Sequence, residues 1–299
     1  MQRVREQLGV SLELIQSLPM TGVTVAVLDS GIARHPDLTG KLVAFRDFVD
    51  NRRFPYDDCG HGTHICGIIC GNGVLSNGSY RGIAPAARLV VGKVLDAKGD
   101  GSTENMLAGL RWIDEVRNKY NIRILNISVG IGNLKENHKE EALQRQLEKL
   151  WNNGVTVVCA AGNKGPEDAS ISAIGVNTQV ITVGCHDGDF CKDNPRRCES
   201  YSGRGIFGAV PRKPDIVAPG TDILSCNAFL KQGAYSKKSG TSMAAPIVSG
   251  VLALALQKKP QMTNEELRQR LTFSAKDLGE AWNKQGWGMV NVEGLLADL

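Results

Sequence analysis

What most constrains this chain is an alternation: short apolar runs rich in β-branched residues recur between longer stretches with helical spacing. Val23–Leu28, Leu89–Val94, Ile122–Ser128, Val155–Ala160 and Val180–Gly184 read as buried strands, with helices over 62–71, 103–119 and 136–152 between them. Thr241–Lys258 then reads as a long apolar helix and Asn264–Phe273 as a shorter amphipathic one. A strand apolar at consecutive positions must be covered on both faces, and a crossover helix after each strand makes neighbouring strands parallel. The expected fold is α/β, in three layers, with a mostly parallel central sheet and helices on both faces. With 299 residues, 42% of them hydrophobic, the chain is long enough for a sizeable core, and residues 1–299 are expected to form a single domain. Functional groups should collect at the carboxyl ends of the strands.

Charge and leader composition narrow the partners. A formal net charge of +4, scattered rather than gathered into a basic tract, gives no footprint for nucleic acid or an anionic membrane. The first residues mix charged and apolar types without a signal-peptide core, and no apolar stretch reads as long enough to span a bilayer. The expectation is a soluble, cytoplasmic chain, with its start at Met1 arguing against a processed secreted form. Its eight cysteines (59, 66, 70, 159, 185, 191, 198 and 226) are then mostly reduced thiols used as small apolar residues. Cys66 and Cys70 fall on one helix face, a poor geometry for a disulfide.

Three polar residues stand at strand–helix junctions. Asp29 ends the run VTVAVL and precedes Ser30-Gly31; alone it reads as a turn-capping aspartate. His61 lies in Gly60-His61-Gly62-Thr63-His64, before a helix of small residues, and alone is more often structural. The pair His61 and His64 lacks the HExxH pattern and acidic neighbours of a zinc site. Ser242, in Ser239-Gly240-Thr241-Ser242-Met243-Ala244-Ala245-Pro246, starts the long helix and alone reads as a capping serine. Together they have another meaning. A serine hydroxyl becomes a nucleophile only when a base takes its proton, and a helix N-terminus favours negative charge beside it.

The order Asp, His, Ser is known from subtilisin, and the strings around these residues are long. AVLDSGI with HPDL, GHGTHICG and SGTSMAAPIVSG closely resemble the active-site signatures of the subtilisin-like serine proteases (subtilases, peptidase family S8). Ala160-Ala161-Gly162-Asn163, Arg81-Gly82-Ile83-Ala84-Pro85 and Pro214-Asp215-Ile216-Val217-Ala218-Pro219-Gly220 match further blocks in order, so the resemblance runs from about residue 7 to 296. It implies a subtilisin-like fold and an endopeptidase cleaving extended protein or peptide segments through an acyl-enzyme. General turnover and maturation of one precursor both remain open. By the resemblance, Ser242 attacks, His61 is the base, Asp29 orients it, Asn163 supplies an oxyanion donor, and His64 is a structural core residue. Gly99, Asp100 and Gly101, with Ser128, Val129 and Gly130, match the substrate-binding edges, where an extended peptide adds as a strand. The pocket for the residue before the scissile bond is expected between 128–130 and Ala160, Ala161 and Gly162, with Ser172 near its floor. Lys164 at its mouth and Asp100 at another subsite read first as solvated charges; the alternative is that Lys164 disfavours basic side chains and Asp100 acts oppositely. A silent binding protein on the same fold is the alternative; such proteins typically lose a triad member, and none is missing here.

Several features depart from that pattern. The region resembling the family begins almost at Met1, like intracellular members without a long prosegment. No cofactor is needed for the chemistry, but Gln2 and Asp37 match two ligands of the family's structural calcium site. The loop Asn72–Tyr80 is short and resembles the version lacking that site. The segment Gly184–Cys198 is long; a surface loop with reduced thiols is favoured there over a Cys191–Cys198 disulfide or a zinc site. Cys59 reads first as a loop cysteine with no role, the alternative being a thiol whose modification blocks the site, and Met243, beside Ser242, is an expected point of oxidation by peroxide. Oligomeric state has no signature in the sequence.

Overall fold

The computed structural model describes residues 1–19, 22–129, 137–190 and 197–299. Two short helices, α1 (Gln2–Gln7) and α2 (Leu12–Ser17), lead into β1 (Thr24–Asp29). There follow β2 (Leu42–Asp47), α3 (His61–Cys70), β3 (Arg88–Lys93), α4 (Thr103–Tyr120), β4 (Ile122–Ile127) and α5 (Asn137–Asn152). Then come β5 (Thr156–Ala160), β6 (Ile181–Cys185), β7 (Ile216–Ala218), and an antiparallel hairpin of β8 (Ile223–Cys226) and β9 (Tyr235–Lys238). Helices α6 (Thr241–Lys258), α7 (Asn264–Phe273), α8 (Trp282–Gln285) and α9 (Val292–Leu296) complete the chain.

Seven strands form one parallel sheet in the order β2-β3-β1-β4-β5-β6-β7. Alternate residues of β1, β3 and β5 feed different cores, as the two-residue period of a strand requires. Val25 and Val27 of β1 pack with α3 and α6, while Ala26 and Leu28 pack with α4 and α5. On α5, Leu143, Leu147 and Leu150 recur at helical spacing and are fully buried. The expected three-layer architecture is what forms.

The sequence reading missed two kinds of strand. β2 is an edge strand, half-exposed along most of its length and ending in Arg46-Asp47, so it lacks a continuous apolar run. β7, β8 and β9 are only three or four residues long and carry no periodic signal. One reading needs correction: α6 is long and apolar enough, by length and composition alone, to cross a membrane. Its apolar side chains are consumed by the core instead, where it lies against α3 and the sheet.

A buried polar chain locks α6 to the sheet. Ser249 on α6 donates to Asn126 Oδ1 on β4 at 2.9 Å, and Asn126 Nδ2 donates to Ser128 Oγ at 2.8 Å. Ser249 and Asn126 are both fully buried. Replacing Ser249 by Ala strands an acceptor in the core, a loss of about 1–3 kcal/mol. Urea unfolding of Ser249→Ala is therefore expected to give a lower midpoint with an unchanged slope; an unchanged midpoint would count against this link.

Candidate active site

In a parallel sheet all strands end along the same edge. Asp29 ends β1, Lys93 ends β3, Ser128 follows β4 and Ala160 ends β5, on four adjacent strands. Asp29, Ser128 and Ala160, read from the sequence, therefore lie along one edge of the sheet together with Lys93, which was not.

Asp29 is fully buried. Its Oδ1 accepts the Ser30 N–H at 2.7 Å and lies 2.7 Å from His61 Nδ1, so this contact fixes the proton on Nδ1 and leaves Nε2 as the base. Burial of His61 favours its neutral form, but the charge of Asp29 and the hydrogen bond to it outweigh that effect and raise its pKa above 6.5. His64, one turn along α3, behaves oppositely. Burial, then Lys238 and His61, push its pKa down to about 3. Its Nε2 faces the carbonyls of Ile223 and Ser236 at 3.1 Å each, so the neutral ring pins the β8–β9 hairpin to α3. It is the structural histidine that the resemblance implied.

Close packing of α3 on the Asp29 turn requires glycine. A Cβ on Gly62 would fall 2.2 Å from the Gly31 carbonyl oxygen. The two segments are sewn together by a residue the sequence reading passed over. Asp57, 6% exposed, accepts from Ser30 Oγ (2.8 Å), Gly60 N (2.7 Å), Cys59 N (3.2 Å), Thr63 N (2.8 Å) and Thr63 Oγ1 (2.6 Å). It therefore holds the Asp29 turn and caps the His61 helix at once. Lys93 braces the other side. Fully buried, its Nζ donates to Ser30 O (2.8 Å), Leu95 O (2.8 Å) and Asp58 Oδ1 (2.6 Å). The available signals were Asp57-Asp58 just ahead of the Gly-His-Gly string and a lone lysine in an apolar strand.

Ser242 occupies the first turn of α6, which packs on α3. Asn163 is exposed, but its Oδ1 is anchored by the N–H and hydroxyl of Thr241, each at 3.1 Å. The Thr241 hydroxyl in turn accepts the Gly162 N–H at 3.1 Å. With Oδ1 tied down, the donor end of the amide is the end offered outward. Gly240 makes room: its φ is +138°, and a Cβ there would lie 3.2 Å from Asn163 Nδ2.

The remaining residues fall as follows. Gly99, Asp100 and Gly101 form the turn after β3, with Asp100 exposed and Gly101 bridged to Leu95. Ser128 and Val129 are buried past β4, while Gly130 lies outside the described residues. Ser172 lies against Ala160, Ala161 and Gly162, donating from Oγ to Ala160 O at 2.9 Å and from N to Ala161 O at 2.7 Å. Lys164 is exposed beside Asn163. Cys59 is half-buried against Gly99, and burial raises its thiol pKa, which opposes ready modification. Met243 is 1% exposed. Cys198 corrects an expectation: it is buried and disulfide-bonded to Cys185 at the end of β6, rather than a reduced thiol of a surface loop, and Cys191 lies outside the described residues. Gln2 and Asp37 are both engaged by protein partners. Gln2 is exposed and donates to Glu6, and both Asp37 oxygens accept protein donors.

A hydrogen-bonded pair of buried Asp29 and partly exposed His61, a serine in the first turn of the helix packed on α3, and an amide anchored to the first residue of that helix are the parts a serine hydrolase uses. Comparison with known proteins agrees. A family model described as the subtilase family matches residues 20–288. Serine protease AprX of Bacillus subtilis (strain 168) is 39% identical over 297 residues, covering 93% of this chain and 67% of AprX. M-protease of Shouchella clausii (strain KSM-K16) is 36% identical over 279 residues, covering 93% of this chain and 65% of that protein. The chain thus spans about two thirds of the length of these two relatives. Subtilisin Savinase of Lederbergia lenta is 35% identical, with 93% and 92% covered. Among solved structures, Sphericase superposes with a TM-score of 0.78 at 28% identity, covering 92% of each chain. A cold adapted subtilisin-like serine proteinase gives 0.69 at 30%, covering 92% of this chain and 89% of that one. The chain belongs to the subtilase family, and by that membership it is a serine endopeptidase.

Asp57 is a positioning residue, and its charge also helps to raise the His61 pKa. Asp57→Asn turns an amide NH₂ toward backbone donors and removes that charge. We expect kcat/KM to fall about 10–100-fold, the scale of a misplaced catalytic group. A base works in its neutral form, so the rising limb of the pH profile should also move to lower pH. A limb that stays in place would contradict the electrostatic part of this role.

Proposed function

We propose that Ser242, His61, Asp29 and Asn163 carry out peptide-bond hydrolysis in this chain. Ser242 Oγ attacks the scissile carbonyl as His61 Nε2 takes its proton. Asp29 stays ionised, holding the imidazole in one tautomer and stabilising the imidazolium that forms. Charge developing on the carbonyl oxygen is met by the Ser242 N–H at the start of α6 and by Asn163 Nδ2. His61 then gives its proton to the leaving amine, and water releases the acyl group by the same steps in reverse roles. The observation that carries this reading is the 2.7 Å contact between His61 Nδ1 and buried Asp29.

The substrate in this reading is an extended protein or peptide segment. The turn at Gly99–Gly101 and the strand end at Ser128–Val129 follow β3 and β4, the two strands flanking β1 and its terminal Asp29. Small residues on both sides of the catalytic strand allow a chain to lie between them and pair through its backbone. Recognition that depends on main-chain groups suits an endopeptidase acting on unfolded or loop segments, with side-chain preference set by the neighbourhood of Ala160–Gly162 and Ser172.

A fluorophosphonate probe should label Ser242, and Ser242→Ala should abolish both the label and peptide cleavage. Asn163→Ala should lower kcat by about 10²–10³ with little change in KM, a magnitude that belongs to the corresponding donor of subtilisin itself. Labelling at another residue, or an Asn163→Ala effect confined to KM, would refute these roles.

A further inference from the structure

The family resemblance raises calcium at Gln2, Asp37 and the loop that follows α3, and the donor chemistry there does not suit a divalent ion. The exposed Gln2 amide donates to Glu6 Oε1 at 2.9 Å. Asp37 Oδ1 accepts the Leu75 N–H at 3.0 Å, and Oδ2 accepts the Tyr235 hydroxyl at 2.7 Å. Calcium would need six to eight oxygens, from carboxylates, carbonyls and water, and backbone carbonyls of this loop are candidates. Here those carbonyls converge on a side chain instead. Arg5 Nη2, on α1, lies 3.1 Å from Gly78 O and 3.5 Å from Ser79 O, and Nη1 donates to Arg81 O.

The loop is otherwise closed on itself. Gly78 N donates to Gly73 O at 2.9 Å, Ser79 N to Ser76 O at 3.0 Å, and Arg81 Nε to Asn72 O at 3.2 Å. A divalent ion among the same carbonyls would stand against the Arg5 guanidinium, with Arg81 close by. Burial and then the charge of Arg81 already lower the Arg5 pKa, so this pocket carries positive charge under strain from its neighbours. Adding two more charges is disfavoured by the same repulsion.

We infer that Arg5 is the resident cation of this loop, its guanidinium taking the place that a bound calcium would hold. The fork of N–H donors reaches three carbonyls at once, and the group stays charged at every working pH. The loop is therefore shut at all calcium concentrations. That closure reaches the active-site helix: past the loop, Ile83 and Ala84 donate to Ile68 and Ile69 of α3, each within 2.9 Å. Helix α1, the loop and the helix that begins at His61 form one braced unit, with a fixed protein charge at its centre.

The test is local cleavage after Leu75, which is 49% exposed, by added chymotrypsin, followed beside the thermal midpoint. A Ser242→Ala background keeps self-digestion out of both readouts. With Arg5 intact, millimolar calcium and excess chelator should give the same nicking rate and the same midpoint. Arg5→Met should be nicked at least tenfold faster, with its midpoint lower by about 3–8 °C. Arg5→Lys, which keeps the charge but loses the fork, should fall between the two. Calcium protection of Leu75 in the parent would overturn the inference, as would an Arg5→Met protein with the parent's nicking rate; the calcium comparison stands even if Arg5→Met does not fold.

Discussion

The site depends on one contact, the hydrogen bond between His61 Nδ1 and Asp29. It joins the end of a central strand to the first residue of a helix, two elements that share no backbone pairing. Such a contact holds its geometry only if both partners are fixed from elsewhere. Asp29 is fixed by the sheet, lying in register with Lys93 on β3 and flanked by β4. His61 is fixed by Asp57, which collects donors from Ser30 and from the first turn of α3. The 2.7 Å distance is a property of this whole scaffold.

Burial gives that contact its chemical force. A fully buried carboxylate is screened little by water, so Asp29 raises the basicity of His61 against the desolvation that opposes it. His64 shows what the same helix does without a carboxylate partner: its ring stays neutral and serves the hairpin. Two histidines three residues apart thus have opposite fates: Asp29 outweighs burial at His61, while burial and Lys238 act unopposed by a carboxylate at His64. Asn163 follows the same logic from the other side. Its tether to Thr241 ties the amide to the turn that carries Ser242, as the proposed oxyanion role requires.

Much of this was legible in the sequence, for identifiable reasons. Central strands are apolar on both faces, so β1, β3, β4, β5 and β6 were found within about a residue, and their carboxyl ends marked the site. Asp29, His61, Asn163 and Ser242 stood in long motifs whose roles followed from a family resemblance. Asp57 and Lys93 were missed because their work lies in long-range hydrogen bonds, which no local pattern encodes. Cys198 was misread because pairing depends on where β6 ends, and spacing along the chain does not show that. The calcium ligands were inferred from matching positions alone, and Arg5, on the same short helix as Gln2, reaches the loop carbonyls through contacts that no local pattern shows.

The chemistry of the site turns on the charge of Asp29 reaching the His61 ring. The direct measurement is an NMR titration of the His61 imidazole in an inactive Ser242→Ala protein, repeated with Asp29→Asn added. A midpoint above the ordinary 6.5 is expected with Asp29 present, and a clear fall when its charge is removed. A midpoint at or below 6.5 in the first protein, or one that Asp29→Asn leaves unmoved, would contradict that dependence.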